Sequence, residues 1–200
     1  MKKISTLILV FVSIAFCVSA QKANLITAQS FDKITKTSTY KDLQKLYGAN
    51  NVKDDEDYGP EGADTIKVTK IYAETKNEIV VYWAENKFHK KIASIECYQA
   101  GAPYYTSDSI KIGSTLKKLL QVNGKKINFS GTDWDYGGFI SSYNKGKLAN
   151  SSITYSLGSG KNMSQKLMGE GQFNTDMAIV KKNLDKVTVI KIGVDLIKAK

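Results

Sequence analysis

Two carboxylates stand two residues apart at Asp133 and Asp135, with Trp134 between them and Tyr136 following. On an extended strand this spacing puts both acids on one face and Trp134 on the other. Such a pair could serve as general acid and base on a glycosidic bond if it flanked a sugar-sized cleft and one carboxyl were held protonated. No neighbouring residue marks a cleft. The first expectation is therefore that Trp134 packs while the aspartates are solvated or bonded to the Gly137-Gly138 turn, and the second is an exposed recognition loop. A denser acidic run, Asp54-Asp55-Glu56-Asp57-Tyr58-Gly59-Pro60-Glu61, offers oxygen ligands to a calcium ion. It lacks the alternating Asp/Asn ladder of a calcium loop and reads as solvated charge after a helix.

The remaining reactive side chains are few. His89 is the sole histidine, and no Gly-x-Ser-x-Gly elbow occurs to hold a nucleophile for it. One histidine and two cysteines, Cys17 and Cys97, do not make a structural zinc site once Cys17 is assigned to an export signal. Cys97, between strand-forming neighbours, reads as a buried thiol. Neither a metal nor an organic cofactor is expected. Tyr98, Tyr104 and Tyr105 bracket Ala100-Gly101-Ala102-Pro103, an aromatic linker that either meets a partner or seals a seam within the fold.

These residues must be positioned by elements that recur along the chain. Thr115-Leu116-Lys117 opens a helix with a hydroxyl cap, Leu116, Leu119, Leu120 and Val122 give it one apolar face, and Gly124 stops it. The same pattern runs from Thr39 to Gly48 without a gap, Tyr40 standing for Leu116, Leu43 for Leu119 and Leu46 for Val122. Strand-like sequence follows each glycine. In the first copy it covers residues 66–71, 79–83 and 92–98; in the second it covers 126–130, 136–143 and 147–157. Residues 21–37 read as a terminus leading into a short strand, 158–172 as a loop, 173–182 as a short helix and 187–194 as a last strand. The expected fold class is α+β: two tandem units of a helix on an antiparallel sheet, residues 21–105 and 106–200, possibly sharing one sheet.

Residues 1–20 combine Lys2 and Lys3, an apolar run from Leu7 to Val18, and Val18-Ser19-Ala20. This predicts a signal peptide cleaved near Ala20 and a periplasmic or secreted product with no membrane-spanning segment. A lipid anchor on Cys17 is the alternative, opposed by the bulky Phe16 before it. The 200-residue chain carries +10; 29 basic residues less Lys2 and Lys3 leave 27 against 19 acidic, or +8 after cleavage. All the basic residues are lysines, dispersed along the chain. With no arginine for bidentate base and phosphate contacts, a nucleic-acid partner is not expected.

Two resemblances rest on these motifs. Ile112-Gly113-Ser114-Thr115 through Gly124 resembles the helix opening of the small outer-membrane assembly lipoproteins and of the β-lactamase inhibitor protein repeats, which implies helices packed on antiparallel sheet. Ile112 to Leu116, Asn123-Gly124, Trp134 to Gly138 and Gly146 to Leu148 together resemble a family of uncharacterised secreted bacterial proteins, a likeness that implies no activity. Thr132-Asp133 departs from that family, which tends to have glycine and an aromatic there. The expectation is a non-enzymatic exported protein that binds an envelope or extracellular macromolecule, with Asp133, Trp134, Asp135, Tyr136, Tyr104 and Tyr105 as candidate contacts. A carbohydrate hydrolase using Asp133 and Asp135, or a purely structural envelope component, are the alternatives.

Overall fold

A computed structural model describes residues 23–58, 65–135 and 137–197. The expected signal peptide, Gly59 to Glu61 of the acidic run, and Tyr136 lie outside the described residues. Both capped helices form where the pattern places them, α1 at Tyr40–Tyr47 and α2 at Leu116–Asn123. Thr39 accepts from the Asp42 N–H while the Asp42 carboxylate takes the Thr39 N–H at 2.8 Å, a reciprocal cap. Thr115 accepts from the Lys118 N–H at 3.2 Å without the reciprocal acid. Helices of eight residues do not persist alone, and these bury Leu43, Leu116 and Leu119 completely. Each such side chain contributes about 1.5–3 kcal/mol relative to exposure.

The fold class is α+β, with the described strands in three sheets. The largest contains β4 (Val52–Tyr58), β5 (Thr65–Ile71), β6 (Ile79–Trp83), β7 (Ile92–Cys97), β11 (Ile153–Ser159) and β13 (Val187–Asp195), in the order β11-β13-β7-β6-β5-β4 and antiparallel throughout. A second joins β1 (Leu25–Ile26), β2 (Ser30–Phe31) and β3 (Ile34–Thr35) to β8 (Tyr105–Thr106). The third sets β9 (Asn128–Ser130) between β10 (Ile140–Ser142) and β12 (Gln172–Asn174). An isolated bridge, Phe139 to Ser156, ties the third sheet to the edge of β11. The short helix expected over residues 173–182 is cut down: the segment divides into the end of β12 and a single turn, α3, at Ala178–Lys181.

The sheets do not follow one layer per helix. Strands from before and after residue 105 meet in the largest sheet through β7 and β13, where Cys97 opposes Ile192. Cys97 is wholly buried there, and burial pushes its thiol up to about 12, so it stays protonated at neutral pH. One continuous core holds residues of both helices, α3 and all three sheets. The acidic run takes a form that the sequence did not announce: residues 52–58 make the edge strand β4, with the side chains of Asp54, Asp55 and Glu56 exposed as solvated charge. Asp55 pairs with Lys70 of β5 at 2.7 Å, and Asp54 is hydrogen-bonded to the His89 ring at 2.8 Å.

Candidate functional site

Cross-strand pairing decides which side chains share a face, because directly opposed residues point the same way. One face of the largest sheet carries Ile79, Val81, Ile95, Cys97, Ile192 and Val194, all inside the core beneath the helices. The opposite face carries the rows Lys70, Val80, Glu96, Gly193, Thr154 and Asp55, Val68, Tyr82, Ser94, Asp195. Its polar groups partner one another: Lys70 with Asp55, Lys191 with Glu96 at 3.1 Å, and the Tyr82 hydroxyl with the Asp57 carboxylate. Burial, then the bond to Asp57, pushes the Tyr82 phenol up, so it remains a donor at neutral pH. Tyr98, beside them, is 37% exposed, and its phenol is pushed up to about 12, mainly by burial and then by Glu78 and Asp57.

This open face has the makings of a contact surface. Tyr98, Ile66 and Ile190 are exposed on it, while Val68 and Val80 are sealed beneath their neighbours. Gly193 keeps the centre low, since a Cβ there would stand 2.8 Å from the Thr154 hydroxyl and 3.3 Å from Glu96. Asp55, Asp57, Glu78, Glu96 and Asp195 face Lys53, Lys70 and Lys191, so the face is locally acidic on a chain of net +10. The sequence reading passed over Tyr82, Glu96 and Lys191. The alternation Ser94, Glu96, Tyr98 against Ile95, Cys97 was the available signal, and only the pairing shows that it is one side of a sheet.

The expected site around Trp134 is differently built. Asp133 has φ of 60°, so residues 133–135 bend rather than extend, and the two aspartates are not brought to one strand face. Both are exposed. The Asp133 carboxylate accepts from the hydroxyls of Thr132, at 2.8 Å, and Ser159. Trp134 is half-buried and donates to the Gly131 carbonyl at 2.9 Å. Gly138, at φ of 69°, lies against β11 so closely that a Cβ would fall 1.7 Å from the Leu157 carbonyl oxygen. Leu157 in turn donates its N–H to Gly138 at 2.9 Å. The loop closes the outer edge of β11, and the glycines serve that approach.

The other shared strings meet in the same way. Asn123, 2% exposed, donates to the carbonyls of Lys125 and Tyr143 at 2.7 and 2.9 Å and accepts from the Leu148 N–H at 3.2 Å. Gly146 leaves room for that amide, because a Cβ would stand 2.3 Å from its oxygen. Tyr104 is a correction to the candidate contacts: it is 3% exposed, packs 5.0 Å from Phe31 and donates to the Asn77 carbonyl at 2.7 Å. Tyr105 is half-buried and belongs to β8, opposite Leu25. Tyr104 and Tyr105 thus seal the fold, while Tyr98 stands exposed.

Comparison of the chain with protein-family models, with curated proteins and with solved structures found no match in any of the three. Among the described residues no helix is long and apolar enough to cross a membrane.

Proposed function

We propose that the chain is an exported binding protein without catalytic activity, and that its open sheet face takes up a partner protein of the bacterial envelope or the extracellular space. Export rests on the composition of residues 1–20. The proposal includes two related halves, residues 21–105 and 106–200, joined last strand to last strand at β7 and β13. A further parallel supports them: Tyr40 at the start of α1 donates to the His89 carbonyl at 3.2 Å, three residues before β7. Lys117 at the start of α2 donates to the Leu184 carbonyl at 3.0 Å, three residues before β13.

The observation that carries the reading is the face itself, open among the described residues, where Tyr82 and Tyr98 stand among mutually paired charges on an antiparallel sheet. Tyrosines give contact area at little entropic cost, and charges already held in place specify a partner without reorganisation. The local excess of carboxylates favours a protein over the anionic polymers and lipids of an envelope. A photo-crosslinking residue at Ser94, in the middle of the face, is expected to capture one recurrent envelope protein, and the yield to fall in a Glu96→Lys, Tyr98→Ala background. The same probe at Lys41, on the exposed side of α1, is the control. Equal capture from both positions, or none from Ser94, would overturn the reading. Hydrolysis of bacterial polysaccharide by the mature chain, lost in Asp135→Asn, would replace it with the enzymatic alternative.

A further inference from the structure

A cavity of about 440 Å³ opens where the C-terminal end of α1, the turn after β5 and the N-terminal hairpin meet. Asp32 stands in its wall, 5% exposed, its carboxylate taking the Asn24 N–H at 2.9 Å on one oxygen and the Tyr47 hydroxyl at 2.8 Å on the other. The rings of Tyr47, Tyr72 and Tyr104 line the same space, Tyr72 edge-on to Tyr47 at 5.9 Å. Lys33 and Lys76 stand at the wall with exposed side chains and form no ion pair among the described residues. The backbone here is unusual as well. Asn24, Asp32 and Tyr72, all lining the cavity, have φ of 65°, 51° and 54°. Asparagine and aspartate tolerate that conformation, but an aromatic residue does not adopt it without strain.

From this juxtaposition we infer that the cavity is a binding site for an acidic saccharide, a sugar ring carrying a carboxylate. Its size falls within the range of small-molecule sites. The half-buried Tyr72 offers a ring surface to the C–H face of a pyranose, and Asp32 and the Asn77 side chain offer acceptors and donors to ring hydroxyls. Lys33 and Lys76 supply two cations for the sugar's carboxylate. A simple cation would find those lysines repulsive, and a bare anion would find Asp32 so. This site shares no residue with the open face, and its failure would leave the proposal for that face standing.

The test is a titration of the mature chain, followed by amide-resolved NMR, with D-glucuronate, D-glucose and inorganic phosphate as probes. Glucuronate is expected to shift the amides of Asn24, Lys76 and Asn77 saturably, and to bind at least about tenfold more tightly than either other probe. The Lys33→Gln, Lys76→Gln double variant alters only exposed side chains and should lose about tenfold in glucuronate affinity with its melting temperature unchanged. Tyr72→Gly, which relieves the backbone while removing the ring, should fold and lose binding. No saturable shift with glucuronate, equal binding of phosphate, or full affinity in Tyr72→Gly would each overturn the inference.

Discussion

Tyr47 and Asn123 occupy the same position on two helices cut to one pattern, yet they finish their helices in opposite ways. Asn123 turns a buried amide onto three main-chain groups and ties the 143–148 turn to the end of α2. Tyr47 reaches Asp32 with a single hydroxyl, and a cavity remains beside its ring. A shared cap and a shared glycine therefore specify where a helix starts and stops but not what its last side chain does. That is settled by the segment it meets, a compact turn in one case and a two-stranded hairpin in the other.

The contrast can be broken at its strongest point first. Asn123→Ala would leave the buried Leu148 N–H without its acceptor and empty the space of the amide, while the Tyr143 carbonyl keeps the Gly146 N–H, and unfolding in urea should show a loss of about 3–5 kcal/mol. Tyr47→Phe removes one bond to a carboxylate and keeps the ring, with an expected loss of about 1.5–3 kcal/mol. Equal losses would mean that the two helix ends are held alike. The stop glycines should differ next. Gly48 has φ 87° and ψ 133°, whereas Gly124 has φ 68° and ψ 0°, ordinary left-handed geometry. Gly48→Asn should cost about 1–3 kcal/mol and Gly124→Asn much less, both read from denaturation midpoints at constant slope.

The caps should differ least. Thr39→Ala and Thr115→Ala should each cost about 1 kcal/mol. Only the first helix should respond to acid through its cap, because the hydroxyl and N–H of Thr39 hold the Asp42 carboxyl below the usual carboxylate range. A carboxyl with a depressed folded pKa contributes stability above its unfolded value near 3.8, and that contribution is lost as pH falls through the folded one. Asp42→Asn should thus flatten the acid limb of the stability curve below about pH 4, where Lys118→Gln, at the matching position of α2, should leave it unchanged.

Both helices were legible to the residue because a threonine cap, apolar spacing and a glycine are local signals. Strands β5, β6 and β7 were legible from their β-branched runs. Strand β4 was not, since four acidic residues in a row acquire strand character only from pairing with β5 and from the bonds of Asp55 to Lys70 and Asp54 to His89. The short strands of residues 25–35 and the bond from Tyr47 to Asp32, across fifteen positions, depend on tertiary contacts that no local pattern carries. Trp134 and its glycines were conspicuous for their composition, and their task of closing a sheet edge depends on β11, which the loop meets only in three dimensions.

Strand β4 carries one more implication. The N–H groups of Glu56 and Tyr58 are taken at 2.8 and 2.9 Å by the carboxylates of Asp55 and Asp57, the residues just before them. An incoming chain seeking to lengthen the sheet would find those donors engaged and negative charge in its path, while the far margin is already occupied by the 131–139 loop. The molecule is in this way protected against stacking into fibrils at both rims, leaving the flat of the sheet as its approachable side.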